Sequence, residues 1–456
     1  IWTKRCLRHT LRYNIYFIQV SHFLVAPVYK KKDKDAARKK REDGNAAYAK
    51  KWYRQAMMMY SVAAVKSPSG DECLAYSIAN RSACLYYLGE IKLCIADINL
   101  ALARGYPPQL HYKLYERLAK CYVLLNDKEG AMKAALTSKK MLEKMKSKFD
   151  PEKYKSALKG LMNLGNLVNN PKEGMKDNIE VVEDPVVPVP KVAWKPQKKM
   201  RELSSLLRVE YEPEVGRHVK AEKEVNPGDT LLVEEPFAAV LYADKQGNTC
   251  DFCFKRLKVV IPCTQCAGIG FCSKDCRDKA LLSYHKYECK YLDLLHGLGC
   301  STIAKLALRI ITTHPLDYFK KLRTDLNVNN KSIEFKQPYL AVFNLVGLDE
   351  QRWPEDIFAR TMMAVALLKV LKAAKSFPDK SDADTFTDDE IFIGSLILRH
   401  LNVLQFNAHE VYQLLRTDKT KIKPCKNNLI GLAVYPKASF FNHSCHPNTS
   451  RSVFCM

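Results

Sequence analysis

Seven cysteines and one histidine fall within a single forty-residue stretch: Cys250, Cys253, Cys263, Cys266, Cys272, Cys276, His285 and Cys289. They form four successive pairs. Cys250/Cys253 and Cys263/Cys266 are separated by two residues, and Cys272/Cys276 and His285/Cys289 by three. Each pair sits on a short loop that can grip one ion, and four such ligands close a tetrahedral structural zinc site, so eight make two. A closed site has no open position for water, which points to structure and partner docking rather than zinc catalysis. Disulfides would need an oxidising compartment, and the chain shows no secretory signal. So short a segment cannot bury enough apolar surface to fold alone, so its folding should depend on the metals. It lies in mid-chain, so a larger domain is interrupted to hold it.

Three other short segments have polar residues suited to holding a ligand. The run Asn442-His443-Ser444-Cys445-His446-Pro447-Asn448 is dense in donors and acceptors. Gly216-Arg217-His218 opens with a glycine, which brings no side chain of its own. Asn407, in LQFNAHEV, offers a donor and an acceptor together. Taken alone, Asn407 reads as an exposed helical amide and Asn442-His443 as a polar turn.

The elements that would position these residues follow from pattern. The chain has 456 residues, enough for two to four domains, and a formal charge of +24 from 73 basic and 49 acidic side chains. That charge favours polyanions, but no basic helix with interleaved aromatics stands out, so a solvated basic face is the preferred reading and nucleic acid ranks last. Residues 11–29 are too polar for a membrane span, with Arg12, Asn14, Gln19 and His22 among them. Nine further cysteines are dispersed among apolar neighbours, the usage of a reducing compartment, hence cytoplasm and nucleus. Residues 1–37 read as a leader that is disordered or wrongly included.

In residues 38–169 small and aromatic residues recur at helix-pair spacing. Gly44, Tyr48, Tyr53, Ala56, Tyr60 and Ala63 are echoed by Ser82, Leu85, Gly89, Cys94, Ile98 and Ala101. A weaker third copy carries Ala119, Tyr122, Asn126, Ala131 and Ala135. This resembles a tetratricopeptide array, whose concave groove would take a peptide of unknown sequence. Lys51, Arg54 and Arg81 are candidate groove cations. Residues 170–198, with VVEDPVVPVPKVAWKP, cannot continue a helix and read as a linker. Residues 207–241 alternate like strands around a turn at Asn226-Pro227-Gly228-Asp229. Helices are expected over 301–325, about 355–376 and 389–417, and a strand over 428–436.

The order and spacing of the eight ligands resemble a MYND zinc finger. In that family the pairs interleave, which implies Cys250, Cys253, Cys272 and Cys276 on one zinc and Cys263, Cys266, His285 and Cys289 on the other. A β segment with Gly216-Arg217-His218, a finger, a helical insertion and a terminal NHSCHPN together resemble the SET-and-MYND-domain lysine methyltransferases, in particular their branch with N-terminal tetratricopeptide repeats. The fold implied is α+β and multidomain. The repeats are followed by a β-rich SET domain in two parts, 199–249 and 396–456, split by the finger at 250–289 and a helical insertion at 290–395.

The resemblance implies S-adenosyl-L-methionine as cofactor, held by Gly216, Arg217, His218, Asn407, Ser439, Asn442 and His443, and a protein lysine as methyl acceptor. Through the finger it implies proline-rich partners such as deacetylase corepressor complexes. The alternative is a non-catalytic scaffold or corepressor adaptor. In the family Cys445 joins three downstream cysteines on a third zinc, and a catalytic tyrosine lies downstream too. Only Cys455 follows here, so the chain is expected to be C-terminally truncated, and no catalytic residue is assigned.

Overall fold

Short polar residues start many of the helices. Asp33 accepts from the Ala36 amide, Asp71 from Cys73 and Asp127 from Gly130, so each carboxylate satisfies a donor that the first turn leaves open. The structure is a computed structural model that describes residues 25–148, 150–169, 179–182, 188–326, 332–333, 337–377, 386–415 and 426–453. Most of the leader, parts of the linker and Cys455 lie outside these residues. The chain divides into two compact units: Lys31–Val187 with Leu257–Ser273, and Ile1–Lys30 with Pro188–Arg256 and Lys274–Met456.

The first unit is helical. Its helices are α1 (Lys34–Ala49), α2 (Tyr53–Lys66), α3 (Glu72–Tyr87), α4 (Ile91–Ala103), α5 (His111–Leu124), α6 (Lys128–Lys144) and α7 (Pro151–Asn169). Consecutive helices pack on one another. Small residues permit the approach: a Cβ on Gly44 would stand 2.6 Å from the Tyr60 ring, and Ala56, Ala63 and Ala64 are fully buried. Arg81 is not a groove cation. It is fully buried on α3, and its guanidinium donates to both carboxylate oxygens of Asp97 on α4 at 2.7 and 2.8 Å. It also donates to Ser61 and to the Val260 carbonyl. Lys51 and Arg54 are exposed. Two segments expected to lie apart from the helices join this core. Ile179 and Val181 pack against it, and so does the buried Val259 of the cysteine-rich stretch.

The second unit is mixed. β1 (Leu207–Glu212) and β2 (Gly216–Ala221) form an antiparallel hairpin, Leu207 opposite Ala221 and Glu212 opposite Gly216. β3 (Ala238–Leu241), β7 (Lys426–Val434) and β6 (Ala408–Leu415) form an antiparallel sheet in the order β3-β7-β6. The short strands β4 (Ile261–Pro262) and β5 (Gly270–Phe271) lie in the part of the cysteine-rich stretch that belongs to the first unit. The remaining helices are α8 (Lys274–Leu282), α9 (His285–Glu288), α10 (Leu292–Gly297), α11 (Thr302–Thr312), α12 (Leu316–Lys321), α13 (Pro338–Phe343), α14 (Pro354–Ala373) and α15 (Asp388–Asn407). A capping box between Thr387 and Glu390 starts α15, whose apolar residues, Ile391 and Phe406 excepted, are buried among α11, α14 and the sheet.

Two strand and helix expectations need correction. The helix expected over 389–417 ends at Asn407, and Ala408–Leu415 is a strand paired to β7. The strand-like run 207–241 is broken between Ala221 and Ala238. The Asn226–Asp229 turn does form there, with the Asp229 amide donating to the Asn226 carbonyl at 3.1 Å. In both places the available partner strand, not local propensity, decides the conformation.

Candidate metal centres and cofactor-binding residues

Each ligand pair of the cysteine-rich stretch is set by a local turn or a helix. Cys272 and Cys276 flank the start of α8, and His285 and Cys289 bracket α9. Cys250, Cys253, Cys272 and Cys276 converge as one set, and Cys263, Cys266, His285 and Cys289 as a second. Within each set the ligand atoms all lie within 4.8 Å of one another. Four donors around a tetrahedral zinc stand about 3.8 Å apart, so both sets fit the ion with little movement. The interleaved pairing is the one implied by the resemblance. The Gln265 amide donates to Cys263 Sγ at 3.4 Å, a contact that favours a thiolate.

Beside the ligands lies a buried polar cluster that the ligand pattern did not foretell. Tyr284 Oη donates to the Asp251 carbonyl at 2.9 Å and to its carboxylate at 3.0 Å. Arg309, on α11, donates to both Glu288 oxygens at 2.9 Å, and its Nη2 lies 3.5 Å from Asp251 Oδ2. Its guanidinium covers the Tyr284 ring at 3.3 Å and also reaches the Ala239 carbonyl on β3.

Gly216 begins β2 with φ +77°, a conformation that strains any side chain, and no atom lies within 4 Å of where a Cβ would stand. Arg217 turns inward. It donates to the carbonyls of Asn344 and, at 3.1 Å, Ser332, and its guanidinium lies 5.9 Å from the Phe440 ring. Burial pulls its pKa down from the ordinary arginine value. His218 is buried, with Nδ1 3.1 Å from the Gly216 carbonyl and Nε2 3.6 Å from Glu212. Glu210, Glu212 and His218 are near enough to share an ion. Lys220 is ion-paired to both carboxylates, however, so the group reads as a charge ladder across the hairpin.

Asn407 ends α15 and is buried, and its amide nitrogen donates to the Val346 and Val403 carbonyls, both at 2.8 Å. Only its oxygen is left for a ligand. Ser439 lies on the 3-10 turn Ala438–Phe440 and donates to the Tyr435 carbonyl at 3.0 Å. Glu234 fastens that turn by accepting from the Lys437 and Ala438 amides, at 3.0 and 2.8 Å. Asn442 and His443 are exposed, and His443 Nε2 lies 3.6 Å from Cys445 Sγ.

What joins these segments is a loop that sequence reasoning passed over. Five successive carbonyls, beginning with the last residue of α13, each accept from a side chain. Phe343 and Leu345 are held by Arg399 at 3.1 and 2.7 Å, Asn344 by Arg217, Val346 by Asn407, and Gly347 by Arg352 at 2.7 Å. Arg399 is also ion-paired to Asp349. Leu348 adopts a left-handed conformation, φ +49°. Through this loop the Gly216 turn and Asn407 meet, and Arg217 adds the Phe440 turn. Asn442 and His443 follow that turn, and among the described residues no hydrogen bond joins them to the other candidates. The only local signal was Gly347 after an apolar run, which marks a turn and nothing more.

Residues 250–289 match the MYND finger family. Over 493 residues the chain is 28% identical to protein-lysine N-methyltransferase SMYD4 of Gallus gallus, covering 92% of this chain and 65% of that protein. Its human counterpart is 26% identical over 499 residues, covering 92% and 61%. N-lysine methyltransferase SMYD2-A of Xenopus laevis is 35% identical over 237 residues, covering 52% and 46%. Together these matches make the chain similar to SET-and-MYND-domain methyltransferases, with low identity to SMYD4. It spans about 55–65% of the length of the SMYD4 relatives it matches. Among the described residues no helix is long and apolar enough to cross a membrane.

Proposed function

We propose that the whole protein transfers a methyl group from S-adenosyl-L-methionine to the amine of a lysine in a protein substrate. The cofactor supplies a sulfonium methyl that a neutral amine takes by in-line displacement. The chain's own residues bind and align. The Gly216 turn leaves room beside the backbone, and Asn407 presents its oxygen from the end of α15. Ser439, Asn442 and His443 line the turn after β7, and Arg217 holds the loop between them. This reading is supported chiefly by the meeting of the Gly216 turn, Asn407 and the Ala438–Phe440 turn around the 343–347 loop, in a chain related over most of its length to named methyltransferases.

In the same reading the helical unit is a tetratricopeptide array whose groove takes a peptide. The MYND finger docks proline-rich partners such as deacetylase corepressors, and the protein works in the cytoplasm and nucleus. A third zinc would involve Cys445.

Calorimetry with S-adenosyl-L-methionine and a tritiated-methyl assay on the full-length protein test the catalytic part. Asn442→Ala is expected to weaken cofactor binding by about 1–3 kcal/mol, because a ligand group loses its partner. A full-length protein that binds no cofactor would move the reading to a non-catalytic scaffold.

A further inference from the structure

Arg309 lies outside the finger segment, yet its three side-chain partners each stand next to a zinc ligand in sequence. Asp251 follows Cys250, Tyr284 precedes His285, and Glu288 precedes Cys289. Those ligands belong to both sets, Cys250 to one and His285 and Cys289 to the other. All four residues of the cluster are buried, and Tyr284 Oη bridges to Asp251 directly.

We propose that Arg309 is a positioning residue that couples the two zinc centres, so that loading or losing one ion prepares or loosens the other. The physical reason is the cost of a half-made network. With either carboxylate displaced, Arg309 is left buried beside an unpaired charge, and such groups are stable only when all members are in place. Loss of the ion at His285 and Cys289 frees Glu288 to move. Arg309 then loses its two-pronged acceptor, and the grip on Asp251 beside Cys250 weakens. The cluster also donates to Ala239 on β3, which fixes its position on the sheet.

The test follows zinc release from the full-length protein into excess chelator with a chromogenic zinc indicator. The wild type is expected to release both ions in one phase. Arg309→Met should separate the release into two phases, the faster about tenfold quicker than wild type, the scale at which outer partners of metal ligands act. Arg309→Lys and Tyr284→Phe are the companion variants that keep the test independent of whether Arg309→Met folds. Lysine keeps the charge without the two-pronged bond, and phenylalanine keeps the ring while removing the bridge to Asp251. Each should separate the two phases. Two well-separated phases in the wild type, or one unchanged phase in both companion variants, would overturn the coupling. Purified protein carrying fewer than two zinc ions would instead overturn the zinc assignment itself.

Discussion

Arg81 shows how far a side chain's role depends on what surrounds it. By type and position it suited a groove cation, but it is buried against Asp97, whose carboxyl is pushed up by burial and drawn back by the guanidinium. Breaking such a pair leaves an uncompensated buried charge, whereas replacing both partners by apolar groups is often tolerated. Arg81→Met is therefore expected to destabilise the helical unit by about 3–5 kcal/mol, and adding Asp97→Leu should recover most of the loss. Urea melts of the two variants decide this. If the double variant is no more stable than the single one, the pair matters for more than its charge balance. Asn407 carries a related lesson. The resemblance implied a ligand-binding amide, and half of that amide is already spent on the Val346 and Val403 carbonyls.

At the scale of elements, the helical unit is completed by segments far from it in sequence. Val259 is buried in its core, Lys258 pairs with Glu90 at 2.8 Å, and the Val182 amide donates to the Gly89 carbonyl at 2.9 Å. The linker residues press closely enough that a Cβ on Gly89 would stand 1.9 Å from the Glu180 carbonyl oxygen. A shortened chain covering residues 31–175 is thus expected to be helical but to melt several degrees below one covering 31–187. Loss of Ile179 and Val181 removes about 1–3 kcal/mol of apolar burial. Equal melting temperatures would show that the array ends before residue 175 and that the linker adds nothing.

At the scale of the molecule, buried histidines make the fold sensitive to acid. His400 is fully buried on α15, and its Nε2 shares a 3.0 Å hydrogen bond with Tyr339 Oη. Burial, and then the charge of Arg399, lower its pKa from 6.5 to about 3. The unfolded chain therefore binds a proton there between pH 6.5 and 3 while the folded chain does not, so stability falls as the pH drops through that window. Between pH 6.5 and 5 the loss from His400 is about 2 kcal/mol. His409, lowered to about 4 by burial and Arg451, acts in the same direction. Thermal melts at pH 7 and pH 5 should show a smaller drop for His400→Gln than for wild type. An identical drop in both would assign the acid sensitivity elsewhere.

The sequence by itself determined what depends on short spacing. Ligand pairs separated by two or three residues announced two zinc sites, because a chelating loop is a local object. Small residues at helix-pair spacing announced the close helices. Tertiary structure alone decided what depends on distant partners. Ala408–Leu415 extends as a strand because β7 offers a ladder beside it. The loop at 343–347 acquires its role because Arg217, Arg352, Arg399 and Asn407, from remote elements, satisfy its carbonyls. Arg309 looks in sequence like any cationic residue on an apolar helix. Only folding brings it beside three residues that neighbour zinc ligands, because a buried charge must find its partners wherever the chain has placed them.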